Sequence, residues 1–416
     1  MLRAITALFS SSMIGRALGL LRFQLLLIAF SQSGFTDSVI YVTTLIWTIN
    51  NFFVVPTVNR NLIAELASVE KGRHPEIIKA AFFSVFKVSL ISAFCTLICL
   101  FLLNQWVAGF DYSKWEMLVI FLIIAVLGTN EIFSLYNQFN KKYFLYGINP
   151  AIWNGILSIG VLFLWLLDTE SILIYLSFLA LSIGVSIFIQ FRYSGLDFEQ
   201  IVGAKINNLE NRLLNVEHKY WYNGTVILFM GTTFFDLNVL KFSNTAGLVT
   251  VYSIILKLPE LLVSVINGSI QPVFFNAIIK RTKPIVQTFF KFFLFSLLGF
   301  IFLAIVTFIF NQQLFLVLFN FNVGEYSGSS FLAICMLFIS TLSYMLIRLS
   351  VEFNYSKSLF FITLIGVILK SVLLIMYHSG ITYLISLNIL FFLLIFCFGL
   401  FKILGTNSEI RNSLAK

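Results

Sequence analysis

The chain has 416 residues, of which 59% are apolar and only 11% charged, and its mean hydropathy is +0.96. A soluble domain of this size does not stay in water with such a composition, so the sequence is that of a polytopic membrane protein. The formal net charge of +9 comes without a soluble basic domain, which argues against a nucleic-acid partner and for topology, because Lys and Arg accumulate in cytoplasmic loops.

Apolar windows long enough to cross about 30 Å at about 1.5 Å per residue predict an all-α chain. There are twelve, centred near Leu18, Leu45, Ser92, Ile123, Leu157, Ala180, Met230, Leu262, Gly299, Phe338, Gly366 and Leu393. The first lacks a small-residue cleavage site and contains Arg16 and Arg22, so it reads as a retained helix and not as a signal peptide. A cation in hydrocarbon costs a few kcal/mol or more. Such residues therefore snorkel, or face a polar cavity and hold something anionic.

Arg16 and Arg22 are separated by about 9 Å along an ideal helix and about 120° around it, so they do not form one stripe. Gly15 and Gly19 beside them predict a bend or a close helix approach. Asp37 opens the second window after an SQSGFT turn, where it either complements a helix N-terminus or takes part in an outer gate. Glu131, near the middle of the fourth window, and Asp236, in the seventh, each bind a coupling cation or proton or form a structural salt bridge. Lys257 lies mid-window in VYSIILKLPELL, with Pro259 two residues later expected to interrupt the helix. A buried cation beside a broken helix is a recurring transporter-site design. Glu260 is placed to pair with Lys257, Arg348 with Glu352 at i,i+4, and Lys87 and Lys370 within snorkelling reach of an interface.

An even number of crossings puts both termini on one side. Arg60, Lys71, Arg73 and Lys79, then Lys141 and Lys142, Arg192 to Lys219, Lys280 to Lys283, Lys357, and finally Lys402 to Lys416 follow the even-numbered windows. That side is therefore expected to be cytoplasmic. The polar insert between Arg192 and Lys219 separates two halves of similar length. The expected organisation is a six-helix lobe over 1–195, a cytoplasmic linker with an amphipathic helix over 196–218, a second six-helix lobe over 219–404 and a tail over 405–416. Two lobes of even crossing number share one orientation, as in parallel-repeat transporters. A faint repeat accompanies this: Tyr41 and Pro56 correspond to Tyr252 and Pro272, each followed by a basic segment, a proline and a Phe-rich helix.

Cys95, Cys99, Cys335 and Cys397 lie in apolar runs without metal-like spacing, so neither a disulfide nor a metal site is expected. His74, His218 and His378 stand near window boundaries and read as solvated interface residues. No nucleophile–base pair suggests a catalytic residue, and no Walker-type loop suggests an ATPase. With no cofactor, the energy source is expected to be a proton or sodium gradient, or substrate consumption. Arg16, Arg22 and Lys257 instead suggest a cationic cavity for an anionic ligand, since guanidinium forks suit phosphate oxygens.

The run GRALGLLR followed by Asp37 in an FTD turn resembles the first two helices of the MurJ/MviN lipid II flippases. VYSIILKLPELLVSVINGSIQPVFFNAI resembles the eighth helix of bacterial polysaccharide flippases. Both groups belong to the multidrug/oligosaccharidyl-lipid/polysaccharide exporter superfamily. MurJ-like chains usually have fourteen helices and a further arginine in the second helix, where this chain has Asn50 and Asn51. Twelve helices are closer to Wzx-type O-antigen flippases. That resemblance implies translocation of undecaprenyl-pyrophosphate-linked oligosaccharide across the cell inner membrane by alternating access. Arg16, Arg22 and Lys257 would contact pyrophosphate or acidic sugar, Asp37 would lie in the outer gate, and Glu131 or Asp236 would couple to an ion. It also implies membrane lipids, a polysaccharide polymerase and a chain-length regulator as partners. The alternatives are a lipid II flippase, a drug/cation antiporter of the same superfamily, a membrane-embedded O-antigen polymerase and a non-transporting assembly factor.

Overall fold

The computed structural model describes the chain except residues 1, 51–61, 63–64, 67–68, 107–111, 205–218, 243–244, 246, 266–284, 320, 323, 351–352, 354, 377–379 and 415–416. The described residues form helices and no strands, the expected outcome where every backbone N–H and C=O has to find its partner without water. The long helices are α1 (Leu2–Phe30), α2 (Gly34–Ile49), α3 (His74–Trp106), α4 (Lys114–Phe139), α5 (Tyr143–Leu166) and α6 (Ile172–Ser194). After them come α7 (Lys219–Phe242), α8 (Leu248–Val265), α9 (Ile285–Phe319), α10 (Ser327–Leu349), α11 (Ser356–Met376) and α12 (Ile381–Leu414). Each of the twelve expected window centres falls inside one of them. Among the described residues, nine of these helices are long and apolar enough to cross a membrane; α2, α7 and α8 fall short by length or composition.

The chain forms two compact units: residues 1–216 with 237–250, and residues 217–236 with 251–416. The turn joining α7 to α8, together with the adjoining ends of both helices, thus groups with the first unit. Within the first unit α3 packs on α4, α4 on α6, α5 on α6, and α1 on α5. Within the second, α9 packs on α10, α10 on α12 and α11 on α12, and Trp221 of α7 meets Phe360 and Phe361 of α11. The same neighbour pattern therefore occurs in both units, six helices apart.

Local chemistry sets several helix ends. Ser113 and Glu116 form a capping box at the start of α4, so two backbone donors that the helix cannot satisfy are paired reciprocally. Lys142 Nζ donates to the Tyr193 and Ser194 carbonyls at the last turn of α6, where a cation complements the negative end of the helix dipole. After Gly195, a six-residue helix (Phe198–Gly203) is tied to α3 by Lys79 Nζ, which donates to the Val202 and Ala204 carbonyls. The remainder of the expected linker, 205–218, lies outside the described residues, as do His218, His378 and Glu352. Large exposed apolar side chains such as Ile98, Phe302 and Phe308 are ordinary where the solvent is lipid.

Two placements differ from expectation here. His74 is buried, not solvated; it packs edge-on against Tyr136 and Phe139, because a cluster including Leu66, Ile77, Ile78 and Ile132 covers the start of α3. Pro259 does not break its helix: α8 runs through it to Val265. The proline ring removes the backbone N–H that would pair with the Ile255 carbonyl, while the helical path continues.

Candidate functional site

Arg16 and Arg22 are both half-buried on the continuous helix α1. Beside Arg16 the helix lies against α5: a methyl group on Gly15 would stand 2.8 Å from Pro150 Cβ and 3.0 Å from the Ala151 nitrogen. Asn154 Nδ2 donates to the Gly15 carbonyl at 3.0 Å, and a Cβ on Gly19 would meet the same amide at 3.0 Å. Of the two predicted uses of these glycines, the structure shows the close approach. Next to it the rings of Trp47 and Trp153 stand 4.5 Å apart.

The beginning of α2 holds the α7–α8 turn. Asp37 is buried and accepts hydrogen bonds from the Gly247 N–H at 2.8 Å and from the Thr250 N–H and hydroxyl at 2.8 and 2.5 Å. These N–H groups belong to the open N-terminus of α8, so the carboxylate caps another helix, while Ser33 caps α2 itself. Gly247 has φ +88° and lies within 2.9 Å of the Gln32 carbonyl at its Cβ direction. A side chain there would be strained and obstructed. Tyr41 donates to Asn238 at 2.7 Å, and Lys241 lies 3.0 Å from the Ser38 hydroxyl.

Glu131 is half-buried on α4, and the side chain of Asn50, which caps the end of α2, donates to its carboxylate. From the preceding residue, Asn130, begins an uncharged network joining α4, α5 and α6. The Ser186 hydroxyl stands 2.9 Å from Asn130 Oδ1 and 2.7 Å from Asn149 Oδ1, with one proton shared between them; Asn149 donates to Ser134, Asn137 to Gln190, and Gln190 to Asn149.

In the second unit Asp236 is completely buried, and its Oδ1 lies 2.5 Å from Lys370 Nζ. Its Oδ2 accepts from Tyr252 at 2.8 Å and from Asn388 Nδ2. Lys370, expected to snorkel, is 3% exposed. A long stem does not bring it to an interface, because a carboxylate within the same unit satisfies the charge where it stands. Lys257 is half-buried on α8, 3.8 Å from Glu260.

Among the described residues no cluster of three His, Cys, Asp or Glu side chains is arranged to hold a metal ion. Sequence reading missed Lys370, Tyr252 and Asn388 as partners of Asp236, and Gly247 and Thr250 as partners of Asp37. For the first set a signal existed: a lone acid and a lone base, each inside an apolar window, seek neutralisation.

No family model and no curated protein sequence matches the chain. Solved structures do. The chain is similar to the lipid II flippase MurJ in its inward closed conformation, with TM-score 0.71 and 14% identity, covering 95% of this chain and 87% of that one. It is similar to MATE in complex with MaL6, with TM-score 0.66 and 13% identity over 97% of both chains. The eukaryotic MATE transporter AtDTX14 matches with TM-score 0.62 and 12% identity over 95% of both.

The fold is that of the MurJ and MATE transporters. At these identities the likeness extends to the MurJ/MATE architecture of a multi-pass membrane protein and not to the substrate. A MATE transporter with this architecture is described as a member of the MOP superfamily.

Proposed function

We propose that the protein is a flippase that moves a polyprenyl-pyrophosphate-linked oligosaccharide, of the O-antigen or related surface-polysaccharide type, across the inner membrane by alternating access. The observation that carries this is the pair of half-buried guanidinium groups, Arg16 and Arg22, on an apolar helix of a fold shared with a lipid II flippase. Planar forks are suited to pyrophosphate oxygens; Lys257 on α8 is a further half-buried cation. The head group enters from the cytoplasm, on the side of both chain termini, while the polyprenyl tail stays in lipid. A polysaccharide polymerase and a chain-length regulator act on the product.

Asp37 serves the outer gate by holding the N-terminus of α8. Glu131 lies beside a neutral amide, whereas Asp236 is already paired, so the coupling proton or sodium is assigned to Glu131 and gating to the Asp236 pair. Flipping that continues at full rate after both ion gradients are collapsed would sink the coupling. The MATE likeness raises cation antiport as a second reading. It is disfavoured because Lys370 neutralises Asp236 and the half-buried groups on α1 are cationic.

The test is Arg16→Ala and Lys257→Ala in cells with normal levels of the protein. The lipid-linked oligosaccharide accumulates on the cytoplasmic face and surface polysaccharide falls. Unchanged surface polysaccharide in both variants overturns the site assignment, and loss of peptidoglycan precursor export in place of polysaccharide identifies lipid II as the cargo.

A further inference from the structure

The second unit buries a cation whose neighbours are oxygens. Lys370 Nζ stands 2.5 Å from Asp236 Oδ1, 2.6 Å from Asn388 Oδ1 and 3.4 Å from the Thr232 carbonyl oxygen. An ammonium ion has three protons to donate, and one acceptor faces each. The lysine is 3% exposed, Asp236 0% and Asn388 1%, so no solvent competes for the group. The other carboxylate oxygen is occupied by Tyr252 and Asn388 Nδ2, which fixes the acceptor from behind.

A structural ion pair requires one carboxylate. Here a carboxylate, an amide oxygen and a main-chain carbonyl from α7 and α12 converge on a single point, and α11 supplies the charge that fills it. Carboxylate and carbonyl oxygens are the donors that hard cations take. If the ammonium is withdrawn, Asp236 becomes a buried charge without compensation, which is strongly unfavourable. Something cationic then has to replace it.

We propose that Lys370 is a tethered cation: its ammonium fills an oxygen-lined site for a monovalent cation formed by Asp236, Asn388 and the Thr232 carbonyl. The native protein therefore binds no dissolved alkali ion at this place, and shortening the lysine opens the site to sodium. This does not rest on which substrate is transported. Its test reads ion binding alone, so its failure and that of the flippase assignment are separate.

The experiment uses the purified full chain in detergent, with binding of radioactive sodium and thermal unfolding measured in sodium chloride and in choline chloride at equal ionic strength. The native protein shows no sodium binding that Asp236→Asn removes, and any difference in its unfolding temperature between the two salts is unchanged by Asp236→Asn. Lys370→Ala binds sodium and unfolds about 3 °C higher in sodium than in choline, as a ligand bound only to the folded state requires. The double variant Lys370→Ala with Asp236→Asn loses both effects. Lys370→Ser, which leaves an oxygen in the vacated space, is read in the same way should the alanine variant not accumulate. Sodium binding to the native protein that depends on Asp236, or shortened variants that bind none and unfold alike in both salts, overturns the proposal.

Discussion

Asp37 accepts two hydrogen bonds from Thr250, one from its backbone N–H and one from its hydroxyl, across 213 residues of sequence. A carboxylate on α2 thereby completes the first turn of α8. Thr250→Val keeps the shape and removes the hydroxyl donor, at a cost of about 1–2 kcal/mol. Asp37→Ala removes the cap and leaves the buried Gly247 and Thr250 N–H groups without it, costing about 2 kcal/mol or more. Thermal unfolding in detergent should rank native above Thr250→Val above Asp37→Ala; equal unfolding temperatures would show that the cap contributes nothing.

The α1–α5 contact predicts intolerance at Gly15. A Cβ there meets Pro150 Cβ at 2.8 Å and the Ala151 backbone at 3.0 Å, and neither neighbour is a flexible chain end. Gly15→Ala should destabilise by about 1–3 kcal/mol through overpacking, while Gly184→Ala, where no atom lies within reach of a new Cβ, should be neutral or stabilising. Protein yield and unfolding temperature of the two variants provide the comparison.

In the uncharged network of the first unit, Gln190 donates to Asn149 and to the Leu145 carbonyl and accepts from Asn137. Gln190→Leu strands polar groups on α4 and α5 inside a dry interior. The expected loss is about 1–3 kcal/mol, visible as a lower unfolding temperature. Gln190→Glu tests the same point with opposite chemistry, because it brings an uncompensated charge to a fully buried position and should be worse than leucine.

Tyr355 lies between α10 and α11, is buried, and donates to the Leu346 carbonyl at 2.7 Å. Burial raises its phenol above the usual tyrosine range. The folded state thus favours the neutral form, and the associated stability is present below the unfolded pKa of about 10 and lost as pH rises through the folded value. Native protein should lose stability above about pH 10 more steeply than Tyr355→Phe, which starts about 1 kcal/mol lower for want of the hydrogen bond. Parallel pH profiles of the two would refute the assignment.

Helices were legible in the sequence because hydropathy records the solvent that each segment meets. All twelve window centres lie in helices, and Gly15 and Gly19 marked a bend or a close contact, of which the contact is found, because small residues are what helix contacts in lipid require. Partners were not legible in the same way. Asp236 and Lys370 are 134 residues apart, and Asp37 and Gly247 are 210 apart; periodicity within a helix says nothing of which other helix faces it. His74 was misplaced for a related reason, since a position near a window boundary looks wet until the cluster over it is known. Lys370 failed a rule that treats a long cation as mobile, when a fixed acid deep in the same unit outweighs the path to water.

The Asp236–Lys370 pair has an electrical consequence. Moving one elementary charge through a membrane potential involves about 2.3 kcal/mol per 100 mV. Two opposite charges 2.5 Å apart travel together as a small dipole with no net charge. Displacement of the helices that carry them therefore does almost no work against the field, and voltage neither drives nor resists that movement through these two groups.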